Sequence, residues 1–474
     1  MKSKMSFWPQ NSKATFPSHR LKLLLLVSCS LSVFFFVASL SILGNTFTTS
    51  PPISTPTSLD HFVFGISSSA KSWPQRKDYV RLWWKPNQMR GCVFLDAIPS
   101  EKADSNDELL PPICISEDTS RFRYTCKYGY RSAIRGARAV LETVALNHSN
   151  VRWFVFGDDD TVFVADNLVK TLSKYDHNQW FYIGSSSESF EQSYENLFGM
   201  AFGGGGFAIS YPLARILANT MDSCLVRYPH LYGSDGRIFS CLTELGVGLT
   251  HEPGFHQVDI RGDPFGLLAA HPLTPLVSLH HFDALDPIFP NMTRLQAIQH
   301  LFEAIKFDPE RVLQRTVCYD RWYSWTISIS WGYAVQVIET HRHLPDLLPV
   351  ERTFKPWKKK PTMYSTLYKF TTREVPIDPC NRPTIFFLET ISLDGKRVKS
   401  SYRRVISEEC LKRKAPWMLR LEHINVFSQK MDLEIRQLQA PRRHCCDILN
   451  SSNRTVMNIG IRECGEQEQI IMHP

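Results

Sequence analysis

The first 59 residues contain no aspartate or glutamate, and acidic residues begin only at Asp60. Five of the chain's positive charges lie in this stretch, at Lys2, Lys4, Lys13, Arg20 and Lys22. The formal net charge of +8 therefore overstates how basic the rest of the chain is. Beyond this stretch the chain has 49 Lys and Arg against 46 Asp and Glu. Such a balance gives no basic surface of the kind that binds nucleic acid, and we expect no nucleic-acid partner.

Several motifs of metal and nucleotide chemistry are also missing. The sequence has no Cys-x-x-Cys pair, no Gly-x-Ser-x-Gly, no His-Glu-x-x-His and no Gly-x-Gly-x-x-Gly. These absences argue against zinc sites built on cysteine pairs, an α/β-hydrolase nucleophile, a zinc protease and a dinucleotide-binding fold. A metal-dependent hydrolase would need more clustered His and carboxylate ligands than the sequence offers.

Twelve cysteines are present, eleven of them beyond residue 44. Because zinc-type spacing is absent, an oxidising compartment with several disulfides is the simpler explanation. Eleven is odd, so at least one thiol is free or pairs between chains. A bridge between Cys224 and Cys241 would close a loop of about 18 residues and contribute about 3 kcal/mol on the chain-entropy model.

A 21-residue stretch from Leu23 to Leu43 carries no charge. At about 1.5 Å per residue it spans roughly 30 Å, so we predict a transmembrane signal anchor, with a cleaved signal peptide as the alternative. The flanking positive charge is all N-terminal, which makes residues 1–22 a cytosolic tail and the bulk of the chain lumenal. Residues 44–60 have the Ser/Thr/Pro composition of an extended stem. Four lumenal sequons would be open to glycosylation, at Asn147, Asn291, Asn450 and Asn453.

Strand and helix patterns alternate between residues 61 and 300. Strands are predicted at 62–66, 92–95, 151–156 and 180–184, and helices at 79–84, 130–146, 166–175, from near Pro212, and at 234–246. This alternation is typical of an α/β domain with a parallel sheet covered on both faces.

Three carboxylates, Asp158, Asp159 and Asp160, follow the predicted strand at 151–156. Adjacent like charges repel one another, so something positive must neutralise them, and a hard divalent cation is the usual partner of oxygen ligands. A solvated turn that caps the next helix is the alternative. A capping turn needs one carboxylate, however, whereas three lie where open α/β sheets place ligands, and this favours the metal interpretation.

Two further segments belong to the candidate site. Four glycines, Gly203, Gly204, Gly205 and Gly206, interrupt an apolar stretch, and such a run lets backbone approach a ligand or another segment closely. A flexible turn is the alternative. A short apolar segment ends in His280 and His281, and a histidine pair in a chain that already offers an acidic cluster favours a metal ligand.

The pattern changes to β beyond about residue 300. Every odd position from Trp325 to Val337 is apolar, which predicts one long half-buried strand. Further strands are predicted at 384–388, 417–426 and 456–461. The tryptophans could form a sugar-stacking face, but we expect a core stripe. Residues 301–474 are thus predicted to be a C-terminal β-rich accessory region.

The order of these motifs resembles that of Fringe and the inverting β-1,3-glycosyltransferases related to it. Trp153-Phe154, then Asp158 to Asp160, the glycine run and the His280 segment follow one another as in that family, over about 61–290. Residues 79–91 are similar to a Tyr-Val-Arg-Leu-Trp-Trp-Lys-Pro-Asn-Gln-Met-Arg-Gly stretch of the plant Fringe-related branch.

The resemblance implies a GT-A fold over residues 61–300, which binds Mn²⁺ and a UDP-sugar. By position, Asp160 would ligate the ion directly, and Asp158 and Asp159 would contact the ribose or the ion's water. His280 would be the distal metal ligand, with His281 as the alternative. Gly203 to Gly206 would border donor and acceptor.

The catalytic base of that family is an aspartate opening a helix, and Asp235 matches it within Gly-Ser-Asp-Gly, where the family has Pro-Asp-Asp. A helix N-cap is the other role open to Asp235, and Asp259 and Asp263 are the next candidates for the base. The base would deprotonate an acceptor hydroxyl while the ion stabilises the departing diphosphate.

The implied function is a Golgi type II membrane enzyme that moves a sugar from a UDP-sugar to a hydroxyl of a glycan, glycoprotein or glycoside. Inversion and a β-1,3 linkage are expected from the resemblance. The alternative is a catalytically silent carbohydrate-binding or scaffolding protein that keeps the GT-A fold. Retention of Asp158 to Asp160, His280 and Asp235 favours the enzyme.

Overall fold

The computed structural model describes Ser30, Ser32, Phe36 and residues 55–99, 107–414 and 416–472. The predicted cytosolic tail and most of the predicted anchor and stem lie outside these residues. No helix within the described part is both long and apolar enough to cross a membrane. The chain divides into two units, Met1–Pro56 and Thr57–Pro474, and both large sheets belong to the second.

Within the described residues, seven strands form the first sheet. They are β1 (Phe62–Ser67), β2 (Arg90–Leu95), β3 (Ile113–Ile115), β4 (Trp153–Asp158), β6 (Tyr182–Gly184), β7 (Phe207–Ser210) and β8 (Leu249–His251). Their order is β3-β2-β1-β4-β7-β6-β8. The short strand β5 (Val162–Phe163) pairs separately with β10 (Ser278–Leu279). Each strand expected from the sequence in this half is present, with ends shifted by one or two residues.

The first sheet is mixed, so the expectation of a parallel sheet is wrong. Strands β1, β2, β3 and β4 are parallel, but β7 runs antiparallel to both β4 and β6. Alternating strand and helix patterns do not encode direction, and β7 enters the sheet from the glycine turn instead of from a long crossover helix. Ser67 pairs with Asp158, so β1 and β4 end at the same edge.

Helices pack on both faces of this sheet. The helices between residues 73 and 307 are α1 (Trp73–Arg81), α2 (Ser132–Ala145), α3 (Ala165–Leu172), α4 (Phe190–Asn196), α5 (Tyr211–Arg227), α6 (Ser234–Glu244), α7 (Phe265–Ala269) and α8 (Arg294–Phe307). Of these, α7 and α8 contact strands of the β-rich half instead. Because side chains alternate along a strand, Phe154 and Phe156 pack with α2, α5 and α6, whereas Trp153 and Val155 belong to the core on the opposite face. Helix α1 begins earlier than predicted because Pro74 occupies its first turn, where proline is favoured.

A second sheet of eight strands is built from described residues beyond residue 314. Its order is β11-β12-β13-β17-β18-β19-β21-β20, where the strands are β11 (Arg315–Tyr319), β12 (Thr326–Ser330), β13 (Ala334–Ile338), β17 (Thr384–Asp394), β18 (Arg397–Val405), β19 (His423–Gln429), β20 (Cys445–Leu449) and β21 (Val456–Arg462). The boundary predicted near residue 300 stays a prediction.

Short elements of both halves complete the fold. The strands are β9 (Ile260–Gly262), β14 (Val350–Glu351), β15 (Phe354–Pro356) and β16 (Thr372–Arg373). The helices are α9 (Leu344–Leu347), α10 (Glu408–Leu411), α11 (Pro416–Arg420) and α12 (Ile435–Gln439). The strand predicted at 417–426 is therefore wrong in its first part, since helix α11 precedes β19.

The long strand predicted from Trp325 to Val337 is also wrong. Strands β12 and β13 form an antiparallel hairpin, and Gly332 makes the turn with a φ of +75°, which side chains disfavour. The alternation of apolar and polar residues continues across the turn because both strands direct their apolar side chains into one core. Trp325 and Trp331 are at most 3% exposed, which confirms the expected core stripe.

Five disulfides link the cysteines of the described chain. The pairs are Cys92–Cys114, Cys224–Cys241, Cys318–Cys446, Cys380–Cys410 and Cys445–Cys464. The predicted Cys224–Cys241 bridge is confirmed, and Cys126 is the unpaired thiol that the odd count required. Cys318–Cys446 joins β11 to β20, the two end strands in the order of the second sheet.

Candidate active site

The acidic turn lies at the carboxyl edge of the first sheet. Asp158 is the last residue of β4, and the Thr161 amide donates to its carbonyl at 3.1 Å. The Thr161 hydroxyl accepts from the Asp158 amide and donates to the Gly204 carbonyl, both at 2.7 Å. Thr161 therefore joins the acidic turn to the glycine turn.

Asp158, Asp160 and His280 converge on one point. Their ligand atoms all lie within 4.8 Å of one another. His280 Nε2 is 3.0 Å from Asp160 Oδ1 and 3.9 Å from Asp158 Oδ2. Carboxylate oxygens and an imidazole nitrogen suit a divalent ion. The residues present therefore fit the divalent ion predicted from the acidic cluster, and the Mn²⁺ that the family resemblance implies.

Asp159 points elsewhere. One of its oxygens accepts from the Ser68 hydroxyl at 2.6 Å, and the other accepts from Arg76 at 3.0 Å. Arg76 also lies 3.4 Å from Asp160 and 2.8 Å from Asp283. The acidic triplet is thus neutralised in part by a cation from α1. Sequence reasoning missed Arg76 because nothing in the local pattern distinguishes it from other surface arginines.

The charged side chains of the cluster shift one another's pKa values. Burial raises the pKa of Asp158 to about 7, with further contributions from Asp160, Asp235 and Asp159, although His280 opposes the shift. Burial would also raise the pKa of Asp160, but His280 and Arg76 lower it below its usual value. Burial lowers the pKa of His280, yet Asp160 and Asp158 outweigh this and raise it to about 9.

The glycine turn makes the close approach possible. Gly203 to Gly205 form one 3₁₀ turn, and Gly206 follows with a φ of +82°. A Cβ on Gly204 would lie 2.1 Å from Cε1 of His280, and a Cβ on Gly203 would lie 2.6 Å from Oδ1 of Asp235. Side chains at these two positions would displace the histidine and the aspartate, which argues against the simple flexible turn.

Asp235 reaches the same turn from helix α6. It is the second residue of the helix, whose N-cap is Gly233, so the structure does not make Asp235 the N-cap. Burial raises the pKa of Asp235, whereas hydrogen bonds from the Gly203 amide and the Ser234 hydroxyl favour its charged form. Asp235 is also close enough to Asp158 to raise the pKa of that residue.

The other candidate residues have structural partners. His281 has a left-handed backbone (φ +61°), its Nδ1 lies 3.1 Å from Asp259, and its ring stacks on Trp357 with centroids 4.2 Å apart. Asp263 accepts the Phe265 amide at 2.9 Å. His281 does not belong to the group that could hold a metal ion, which includes His280. Trp357 comes from the β-rich half, which no sequence pattern assigned to the site.

A cavity of about 320 Å³ adjoins Asp158 and Asp159. Its polar lining comes from Ser67, Ser68, Ser69, Ser72, Ser132, Ser234, Arg135, Tyr130 and Tyr232. Ser67 ends β1, and Ser68 and Ser69 follow it, so the cavity opens at the same edge of the sheet as the acidic turn. Its volume is at the lower end of the range for small-molecule sites.

Comparison with known proteins identifies the family to which this chain belongs. The model of the family described as "Protein of unknown function, DUF604" matches residues 192–446, more than half of the chain. A Mus musculus protein named "Beta-1,3-glucosyltransferase" is 32% identical over 163 residues, which are 33% of this chain and 31% of that protein. The Danio rerio "Beta-1,3-N-acetylglucosaminyltransferase lunatic fringe" is 27% identical over 231 residues, 44% of this chain and 57% of that protein. The chain thus spans less than two thirds of either relative.

Among solved structures, similarity is found to the mannosyltransferase PcManGT from Pyrobaculum calidifontis in complex with GDP-Man and Mn²⁺. It is 14% identical and covers 58% of this chain and 81% of that one, with a TM-score of 0.28, a likeness too slight to support an inference. The family match and the two curated relatives show that the chain belongs to the DUF604 family, within the Fringe-related β-1,3-glycosyltransferases.

Proposed function

We propose that this protein is a GT-A enzyme that transfers a sugar from a UDP-sugar to a hydroxyl of a glycan, glycoprotein or glycoside, with inversion and a β-1,3 linkage. The observation that carries the proposal is the meeting of two groups at one glycine turn. Asp158, Asp160 and His280 form a group that could hold a metal ion, and Asp235 reaches Gly203 beside it. Family membership supports the reaction class.

Asp160, Asp158 and His280 would hold Mn²⁺. When bound, the ion would supply positive charge to stabilise the departing diphosphate. The cavity beside Asp158 would take the nucleoside part of the donor, where Asp158, serine hydroxyls and Arg135 offer hydrogen bonds. Asp159 would support the site without binding the donor directly, because its two carboxylate oxygens accept hydrogen bonds from Ser68 and Arg76.

Asp235 would accept the proton of the acceptor hydroxyl as that oxygen attacks the anomeric carbon. A carboxylate whose pKa is raised by burial is a better proton acceptor than an exposed one, provided it stays ionised. The Gly203 amide and the Ser234 hydroxyl favour that ionised form. A single attack on the face opposite the leaving group inverts the anomeric carbon.

The cellular setting is part of the proposal: a Golgi type II membrane protein, anchored through residues 23–43, with the catalytic half in the lumen. Five disulfides and four exposed sequon asparagines support an oxidising, glycosylating compartment. In a protease-protection assay on microsomes, the part beyond residue 44 should be shielded and sensitive to glycosidase. Digestion of that part in intact vesicles would contradict this topology.

The decisive experiment is a donor screen on the purified full-length chain. UDP-sugars are tested for Mn²⁺-dependent hydrolysis, and the active donor is then tested for transfer to a broad set of acceptors. A chelator should abolish both reactions, and added Mn²⁺ should restore them. Donor binding without hydrolysis or transfer would favour the catalytically silent alternative.

A further inference from the structure

The turn between β11 and β12 presents two aromatic rings to solvent. Trp322 is 90% exposed and Tyr323 is 55% exposed. Two hydrogen bonds of the buried Asp320 fix the turn. Its carboxylate accepts from the Tyr323 amide at 2.6 Å, and its backbone amide donates to the Trp325 carbonyl at 2.9 Å. The Tyr323 ring stacks on the buried Trp325, with centroids 4.6 Å apart. The exposed rings are therefore held by a hydrogen-bonded turn that packs against the core.

These rings border a cleft of about 750 Å³, here called the seam cleft. It lies where β11 and β20, the end strands of the second sheet, are joined by the disulfide between Cys318 and Cys446. Its other wall is β20 and the loop that follows, with Asp447, Asn450, Asn453 and Arg454 among the lining residues. An aromatic floor with a few polar groups is the usual composition of a small-molecule or oligosaccharide site.

We propose that the seam cleft binds a β-linked hexose oligosaccharide at a site separate from the transfer site. An exposed indole offers a flat apolar face, and a β-hexopyranose offers a matching face of axial C–H groups. On the opposite wall, the guanidinium of Arg454 and the carboxylate of Asp447, which also accepts from Arg462, can bond to ring hydroxyls. The lining carries charges of both signs, which suits a neutral ligand better than a polyanion.

The volume also fits an extended ligand, since it is more than twice that of the cavity beside Asp158. None of the residues assigned to the ion or the base lines the seam cleft. Binding there would hold a glycan chain near the enzyme and raise the local concentration of its acceptor end. The binding itself does not require transfer to occur.

The test uses the full-length chain in mild detergent, without UDP-sugar or metal, so that a failure of the transfer reaction cannot affect it. Cellopentaose, laminaripentaose and β-1,4-galactopentaose are titrated by calorimetry. We expect at least one to bind, and Trp322→Ala to weaken its affinity at least tenfold. Trp180→Ala removes an exposed tryptophan of the first half and should leave the affinity unchanged. The melting temperature of Trp322→Ala should match the wild type.

Four results would overturn the proposal. The first is that none of the three saccharides binds the wild type, and the second is that Trp180→Ala loses as much affinity as Trp322→Ala. In the third, Trp322→Ala converts a dimer to a monomer in sedimentation, which would make a second copy the occupant. In the fourth, Trp322 becomes oxidisable only after enzymatic removal of N-glycans, which would assign the cleft to a glycan on Asn450 or Asn453.

Discussion

Gly204 lies directly against the ring of His280: a methyl group on its Cα would be 2.1 Å from Cε1 and 2.5 Å from both ring nitrogens. No side chain fits there unless the imidazole moves. The site therefore requires glycine at position 204 as much as it requires its carboxylates. The first prediction follows from this close contact.

Gly204→Ala should weaken Mn²⁺ affinity at least tenfold, because the displaced imidazole can no longer meet Asp158 and Asp160. Isothermal titration with Mn²⁺ measures the effect. Gly248→Ala is the matched control, since a Cβ at Gly248 meets nothing within 4 Å. Equal affinities in the two variants would show that His280 is not held by this contact.

His280 and His281 should differ in their effect on metal binding. His280→Ala removes a member of the group that could hold a metal ion, so the Mn²⁺ affinity of this variant should fall at least tenfold. His281→Ala should have a milder effect, because that ring lies between Asp259 and Trp357. Titration of both variants decides the matter, and the reverse order of affinities would reassign the ligand to His281.

The disulfide between Cys224 and Cys241 ties α5 to α6, the helix that carries Asp235. Cys224→Ala with Cys241→Ala should lower the free energy of unfolding by about 3 kcal/mol, since the bridge restricts the unfolded chain. Denaturant titration measures this loss. Cys126→Ala, which removes the unpaired thiol, is the control and should change stability much less. A similar loss in both variants would mean that packing, not the crosslink, is responsible.

His444 should make stability fall in acid. Burial and the nearby Arg311 lower the pKa of His444 to about 4 from its usual 6.5. Between these values the unfolded chain binds a proton that the folded chain does not, so the free energy of unfolding decreases as pH falls from 6.5 to 4, by up to roughly 3 kcal/mol. Above pH 6.5 this contribution is constant.

The measurement is denaturant unfolding at a series of pH values for the wild type and His444→Gln. The variant should lose less stability than the wild type between pH 6.5 and 4. An exposed histidine of the same half, His343, replaced by glutamine, controls for the general effect of acid. Parallel curves for the wild type and His444→Gln would contradict the assignment.

Local patterns predicted the elements that carry the site but not the direction of every strand. β-branched and aromatic residues marked β1 and β4, and the carboxylates after Phe156 located the acidic turn. The antiparallel entry of β7 could not be predicted, since direction depends on how a connection packs and not on which residues precede the strand. The β12–β13 hairpin was missed because odd-position apolar residues continue through Gly332 without interruption.

The partners of the candidate residues were harder to predict than the residues themselves. The sequence indicated that something positive must face the acidic triplet, and the structure supplies Arg76 from α1 as well as His280. Arg76 is more than 80 residues from Asp159 in the chain, and no periodicity links them. Trp357 is another such case, because it reaches His281 from the β-rich half.

The last prediction concerns Asp235, on which the enzymatic proposal depends most. Asp235→Asn keeps the size of the side chain and a carbonyl oxygen that can accept the bond from Gly203. It should retain Mn²⁺ and UDP-sugar affinity, because the donor would be held at Asp158, Asp160 and His280. Only the proton acceptor is lost, so the transfer rate should fall by about 10²–10⁴-fold.

Calorimetry with UDP-sugar, thermal melting and a transfer assay on the same preparation separate these effects. Asp394→Asn is the control, since that carboxylate ends β17 in the second sheet, where it accepts from Arg397, and should be dispensable for transfer. Near wild-type turnover by Asp235→Asn would eliminate it as the base, and loss of activity in Asp263→Asn or Asp259→Asn would then identify the replacement. Loss of donor affinity together with activity would instead make Asp235 part of the donor site, because a residue that only removes a proton does not contribute to ground-state binding.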